Sequence, residues 1–558
     1  LGALLATGTY IYKQQSAPVN TAAPVITGTD QVGVGPLVAS TGTWTENPAS
    51  FSYQWQRADN LAFTANVLNV GSDQASYALT VGDDGKYHRV QVTATNTSGS
   101  STATSAVIGP TAGATAADFF VSTSGSGTAC TLGNPCGSMN QAYATAAAVA
   151  TSPKTVEMAG GSYGSQTCNS ATRAGNGLIT FRPAAGATVT TGGILFGSDP
   201  GGSGVWTTAS CTYVKLLGTM SPTVGEGNSN FKATGTIILN GSADNITIDG
   251  LDDRNFRVKG SSNVLLTRLD DGPELVAKPG TEADSEFNQG YRQANGVGGF
   301  ISNSNVTLSN SNIHEHNCVT LTDCQGGDAV HVQGLWLYSA NGLTISGNKF
   351  WGNGITNMFR DNCGVGCTNT FQGVDIVNNW FGEALNCAGD TASTCTNFSS
   401  KTIFLQNNPA TGSFKIRFNT FARHSYPLSC SSVSICGNAT THAVIAGNIG
   451  QGGANLCSFS NVDFSYNTWF RTASGDTACG GSNDTMMTWD PSGDGMVGKL
   501  VDSTSFVTFN FNLSGVNWAA DNSIPCGSVN GGCPTPDRAG LSRPQNANAD
   551  AGAAERNS

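Results

Sequence analysis

Along the second half of the chain, apolar and polar positions repeat as an octapeptide: apolar, any, apolar, two of any, Asn, any, bulky apolar. It reads Leu343, Ile345, Asn348, Phe350; then Val374, Ile376, Asn379, Phe381; then Phe414, Ile416, Asn419, Phe421; then Val462, Phe464, Asn467, Trp469. Period-two alternation predicts half-buried strands, and Asn at a fixed offset supplies a residue that tolerates a tight, often left-handed bend before the next strand. A unit that bends the same way in every repeat buries its apolar face only by stacking on its neighbours. The pattern therefore predicts a solenoid with Asn on Asn and aromatic on aromatic. Related coils start at Asn245, Asn263 and Asn305, and Ala443 to Asn448 keeps the Asn offset; spacings of 18 to 42 residues require loops of different lengths.

The first part of the chain patterns differently. Residues 1–21 hold a short apolar run and a polar linker. Between Ala22 and Pro110, short alternating strands such as Ser52–Arg57 and Arg89–Thr95 are separated by Gly, Asp and Asn turns, the spacing of a β-sandwich. Residues 111–117 are a small-residue linker, and the solenoid domain is expected over 118–542, with a tail over 543–558. Met139 to Ala150 is the one good helix candidate, suited to capping the open end of the stack.

Composition narrows the class. Charged residues are 11% of the chain, and the formal charge is −11. A nucleic-acid partner is disfavoured, since nothing here would release phosphate counterions. The 16 cysteines lie between residues 130 and 533 and fall into near neighbours, among them Cys130/Cys136 and Cys168/Cys211. Local disulfides pinning loops, and hence an oxidising compartment, are the expectation, with connectivity open. The run Leu1 to Tyr12 is too short for a bilayer, which takes ~20 residues. It looks like the tail of a signal peptide or of an N-terminal membrane anchor, and points outward from the cytoplasm.

Two resemblances follow from quoted residues. Ser40-Thr-Gly-Thr-Trp44, Tyr53-Gln-Trp55, Asp83-x-Gly85-x-Tyr87 and Val92 to Asn96 resemble the immunoglobulin-like modules of bacterial surface proteins. That likeness implies Trp55 as core tryptophan and Tyr87 as a tyrosine corner; Arg89 stands where antibody domains place a Cys, so no disulfide is expected. The opening Phe119-Phe-Val-Ser-Thr-Ser-Gly-Ser-Gly-Thr-Ala-Cys130, the rungs, and the ending after Arg543 resemble secreted bacterial right-handed parallel β-helix proteins of the pectin-lyase-like superfamily. The fold expected is all-β: a right-handed parallel β-helix preceded by a small immunoglobulin-like sandwich. The superfamily includes polysaccharide lyases, glycoside hydrolases, phage tailspikes and noncatalytic surface proteins, so fold alone leaves activity open. The Asn-x-Asp, Asp-Asp, Gly-His-Gly and Arg-x-Lys set of polygalacturonase-like hydrolases finds no match, nor does the Trp-x-Asp-His motif of pectate lyases.

Three groups carry candidate chemistry. The third strand of each coil is read as Asp328 to Gln333, Thr356 to Asp361 and Lys401 to Gln406. With Val330, Val332, Phe359, Ile403 and Leu405 inward, His331, Gln333, Arg360 and Gln406 face out, near Asp328 and Asp361. These would supply a general base, a charge neutraliser and an acid, catalytic roles for Asp328, His331, Arg360 and Asp361. The bland alternative is the solvated face every β-helix has. A second strip follows the aromatic rung position: His314-Glu315-His316, Glu383, Arg423-His424 and Arg471, with Trp351 as a sugar-stacking platform. His314 and His316, at i and i+2, would share one strand face. The third group is the duplicate Ile246 to Asp253 and Val264 to Asp271. Asp252, Asp253, Asp270 and Asp271 at matching register would bring four carboxylates together and favour Ca²⁺. Asp-Asp is also a good turn former, and Arg254, Arg257, Lys259 and Arg268 stand near enough to neutralise it.

The functional expectation is a bacterial protein, secreted or held at the cell surface, that acts on or binds a polysaccharide or cell-surface glycan. Uronate-bearing substrates would be cleaved by β-elimination through His331 or Arg360, others by hydrolysis through Asp328 and Asp361. The competing classes are a noncatalytic adhesin or stalk, and a spike or filament component that forms homo-oligomers through the N-terminal apolar run.

Overall fold

The computed structural model describes residues 16–32, 36–112, 117–170, 172–197, 210–220, 227–241, 243–276, 285–288, 290–294, 297–318, 333–337, 340–353, 356–360, 371–382, 401–405, 412–421, 426–430, 441–451, 462–465, 467–470, 485–487, 500–502 and 510–513. From Phe119 onward the strands form three long parallel sheets, of twelve, twelve and nine strands among the described residues. Each coil contributes one strand to each sheet in turn, which makes the domain a parallel β-helix; right-handed winding is the sense that right-twisted strands favour.

Apolar side chains at alternate positions form continuous interior columns. In the first sheet Val156, Phe181, Leu216, Ile248, Leu266, Leu308, Ile345 and Ile376 stand in register and are all buried. In the second, Phe350, Phe381 and Phe421 stack with centroids 4.9 and 5.0 Å apart and planes within 14°. That spacing is the parallel-strand repeat of about 4.8 Å expressed in side chains.

Between these sheets Asn348, Asn379, Asn419, Asn448 and Asn467 form a buried file. The Nδ2 of Asn379 donates to the Asn419 Oδ1 (3.0 Å) and to the Ile345 carbonyl (2.8 Å), while its own Oδ1 accepts from Asn348 Nδ2 and N (both 3.0 Å). The sequence expectation gave the bend to this Asn. The structure gives it to the preceding residue: Gly347, Asn378, Phe418 and Gly447 have φ of 67°, 57°, 53° and 67°. The ladder Asn instead satisfies the backbone polar groups that the bend strands inside. A different Asn position does take the left-handed turn: Asn245, Asn263 and Asn305 have φ of 59°, 55° and 52°, and bond to one another along an exposed edge.

The helix Met139–Ala147 closes the N-terminal end. Ser138 caps it by accepting from the Gln141 N–H. Its buried face, Met139, Ala142, Tyr143, Ala146 and Ala147, joins the core cluster of the first coils. Two disulfides, Cys130–Cys136 and Cys168–Cys211, fasten this end; each of the other expected neighbouring pairs, from Cys318/Cys324 to Cys526/Cys533, has at least one member outside the described residues.

Residues 20–104 form a separate β-sandwich, a four-stranded antiparallel sheet against a three-stranded one. Trp55 is fully buried in its core with Leu37, Val90 and Val92. The ring stacked on Trp55, at 5.7 Å, is Tyr77, whose hydroxyl donates to Asp83. Tyr87, expected as the corner tyrosine, is only half-buried at the start of its strand. No helix among the described residues is long and apolar enough to cross a membrane.

Candidate functional site

The duplicated Asp-Asp segments fall on adjacent coils of the second sheet, each after a left-handed turn, at Gly250 (φ 77°) and Arg268 (φ 54°). Asp252 pairs with Asp270 and Asp253 with Asp271. The alternation that built the core then divides the four carboxylates. Asp253 and Asp271 continue the interior column of Ala233, Ile313 and Phe350; Asp252 and Asp270 continue the outer column of Lys232, Asn312 and Lys349. The expected single cluster of four is therefore two pairs back to back on one strand edge. Among the described residues no group of three or more His, Cys, Asp or Glu is arranged to hold a metal ion.

On the outer side, Asp270 accepts from the Asn312 Nδ2 (3.2 Å) and from the Gly227 N–H, and His314 Nε2 lies 3.3 Å from its Oδ1. His314 Nδ1 faces Glu315 Oε2 at 3.5 Å, and the imidazole lies flat on Trp351, centroids 4.6 Å apart and planes within 5°. Lys232 Nζ donates to Asp252 Oδ2 and to the Gly227 carbonyl, both at 2.6 Å. The side chains of Asp252, Glu315 and Lys232 are 19%, 22% and 31% exposed and mark the solvent side; Asp270 and His314 lie beneath at 3% and 1%. Burial pushes the Asp252 carboxyl above the usual carboxylate range, with the neighbouring Asp270 adding to it and Lys232 opposing it.

On the inner side, Asp271 Oδ2 accepts from Ser285 Oγ at 2.7 Å, and His316 Nε2 lies 3.5 Å away. Asp253 is buried, and neither of its carboxylate oxygens has a hydrogen-bond partner. Burial first, then the facing Asp271, push its carboxyl well above the ordinary range.

Several expectations need correction. His314 and His316 do not share a face. Glu315 between them takes a left-handed φ of 54°, which breaks the alternation and sends one imidazole to Asp270 and the other to Asp271. Trp351 is 2% exposed under His314, so it offers no platform to a sugar. Of the cations expected to neutralise the Asp pairs, Arg268 binds Asp249, and Arg257 and Lys259 approach Glu286. The partner of Asp252 is Lys232, from the coil below, which sequence proximity did not signal; Asn312 likewise comes from the next coil, and Ser285 from the third-sheet strand of the same coil as Asp271.

In the third sheet, Met358 is buried and pairs with Leu335 and Ile403. Met358, which the expected alternation did not place inward, is thus the described core residue of this strand. By backbone register Arg360 pairs with Leu337 and Leu405, and Gln333 with Thr356. Asp328, His331, Asp361, Glu383, Gln406, Arg423 and His424 lie outside the described residues.

No protein-family model matches the chain, and no curated protein matches it. Among solved structures it is similar to XylC in complex with xylose, at 9% identity over 67% of this chain and 76% of that one, with a TM-score of 0.35. It is similar to the A-module of the mannuronan C-5 epimerase AlgE4 of Azotobacter vinelandii, at 13% identity over 62% and 91%, TM-score 0.26. A third likeness is to a Family 28 exopolygalacturonase of Yersinia enterocolitica, at 10% identity over 86% and 87%, TM-score 0.27. Likenesses at this level carry no residue role over to this chain.

Proposed function

We propose that this chain is an extracellular β-helix protein that acts on or binds a polysaccharide, with an immunoglobulin-like sandwich as its spacer. The observation that carries the reading is the outer pair Asp252 and Asp270: two carboxylates on adjacent coils in opposite environments. Asp252, whose carboxyl burial raises above its ordinary value and which is the more exposed of the two, is assigned the part of the acid that protonates a glycosidic oxygen. Asp270, which accepts from Asn312 and Gly227 and lies against His314, is assigned the part of base or nucleophile. Coils repeat every ~4.8 Å, close to the ~5–5.5 Å that separates the carboxyls of retaining glycosidases. In that reaction Asp252 gives its proton to the leaving oxygen as Asp270 bonds to the anomeric carbon. Water then releases the sugar, returning its proton to Asp252.

The third-sheet strip of Asp328, His331, Arg360 and Asp361 is the alternative catalytic face, and Gln333, Gln406, Glu383, Arg423 and His424 its expected contacts with the glycan. Calcium is proposed as an added ion at the Asp pairs. A noncatalytic adhesin, stalk or filament is the second reading; the burial of Asp270, His314 and Trp351 favours it.

Purified chain incubated with neutral and acidic polysaccharides, with and without calcium, and followed for new reducing ends and unsaturated-uronate absorbance, separates these. Asp252→Asn should lower turnover by about 10²–10⁴-fold with the circular dichroism unchanged. Loss on Asp328→Asn or His331→Ala, with Asp252→Asn fully active, moves the chemistry to the third sheet. No turnover, with glycan bound equally by all variants, leaves the adhesin.

A further inference from the structure

The sandwich holds a buried relay of polar groups that the glycan reading leaves unused. His88, on the strand Tyr87–Asn96, is fully buried. Its Nε2 lies 3.1 Å from Asp83 Oδ1 and its Nδ1 lies 3.0 Å from Thr111 Oγ1, whose own hydroxyl donates to Asp30 Oδ1 at 2.7 Å. Thr111, 2% exposed, is also fastened through its backbone. Its N–H donates to the Lys86 carbonyl (2.7 Å), its carbonyl accepts from the Gly85 N–H (2.9 Å), and the N–H of Ala112 donates to the Asp30 carbonyl (3.0 Å). The relay thus ends on the segment through which the chain leaves the sandwich for the solenoid.

The donors at hand determine where the protons of this relay sit. The Tyr77 hydroxyl, the Thr80 N–H and hydroxyl and the Arg57 guanidinium all donate to Asp83. Burial opposes its ionisation, but these bonds and that from His88 hold its carboxyl well below the ordinary range. An ionised carboxylate only accepts, so His88 Nε2 carries a hydrogen. Thr111 has a single hydroxyl hydrogen, and it goes to Asp30. Toward His88 the Thr111 Oγ1 therefore accepts, and Nδ1 carries a hydrogen too. An imidazole protonated at both nitrogens is a cation. Passing the extra proton along the relay to Asp30 would satisfy the same bonds, yet imidazole is a stronger base than carboxylate. Charge agrees: Asp30 and Asp83 are matched by Arg57 and His88, and the Tyr77 ring, 5.7 Å from the imidazole, stays neutral because burial pushes its hydroxyl up.

We infer that His88 is a buried imidazolium in the folded sandwich, and that its second proton is a latch clasping Thr111, and with it the exit of the chain, to the sandwich core. A neutral ring donates to Asp83 or to Thr111 and not to both. The latch is closed while His88 is protonated and opens as pH rises through the point where that proton leaves. NMR of the full chain with isotope-labelled histidine, the His88 signals assigned by their loss in His88→Gln or their shift in Thr111→Ser, should show hydrogen on both ring nitrogens at neutral pH. Protection of the Thr111 and Ala112 amides, corrected for the intrinsic pH dependence of exchange, should fall about tenfold or more as that proton titrates, the scale of one buried polar group left without its partner. Thr111→Val should show the low protection already at neutral pH, and Thr111→Ser, which keeps the hydroxyl, should restore it. A bare ring nitrogen on His88 at neutral pH overturns the assignment of the proton. Two protonated nitrogens whose titration leaves Thr111 and Ala112 equally protected overturn the latch.

Discussion

At the scale of single residues, the solenoid depends on side chains that do the work of backbone. Asn379 sits at 0% exposure and answers the Asn348 amide, the Asn348 carboxamide, the Ile345 carbonyl and the Asn419 carboxamide. Asn379→Ala strands those groups in the core, at about 1–3 kcal/mol for each one left unsatisfied. Urea denaturation should register a loss of that order, and a change under 0.5 kcal/mol would mean the file is not structural. In the sandwich, Asp83 is a comparable hub, accepting from Tyr77, Thr80 and Arg57 and contacting His88 at 3.1 Å. Burial alone would raise its carboxyl, but the bonds from His88, Thr80 and Arg57 outweigh it and hold the group well below the usual range. A lowered folded pKa stabilises fully above the unfolded value of about 3.9 and is lost as pH falls below it toward the folded value. Protection of the Val90 and Val92 amides, corrected for the intrinsic slowing of exchange in acid, should therefore fall on acidification in the native chain, and Asp83→Asn should be weaker at neutral pH with a flatter acid response.

At the scale of elements, the N-terminal cap combines a helix with two covalent ties. Cys168–Cys211 closes a loop across 43 residues, for which chain entropy gives roughly 4 kcal/mol. Replacing both by Ser should expose the helix Met139–Ala147 to proteolysis before the coils beyond it; simultaneous loss of all coils would show that the cap and stack unfold together. What the sequence disclosed at this scale follows from periodicity. The first and second sheets were legible because Leu343/Ile345/Phe350 and its copies repeat apolar type at fixed offset. The third sheet was not, because Thr356 to Arg360 holds both Met358 and Phe359, and type alone does not say which one turns inward. The division of Asp252 from Asp253 was implicit in the same alternation. Lys232 as partner was not, since its coil lies 20 residues back and only register brings it near.

At the scale of the whole molecule, two cores share no member: one around Trp55, one running through the coils. Calorimetry should resolve two transitions, with Asp83→Asn moving only the sandwich and Asn379→Ala only the solenoid. A single transition shifted by both would show the two units to be coupled. The Asn file has one more consequence. Its links span 31, 40, 29 and 19 residues of chain, yet each is the same bond at 2.9 to 3.1 Å. The excursion between two rungs is invisible to the rungs themselves. Such a molecule is a spine with interchangeable fittings: what projects from a coil can be lengthened, shortened or rewritten while the spine registers no change, but the spine itself grows or shrinks only by entire turns.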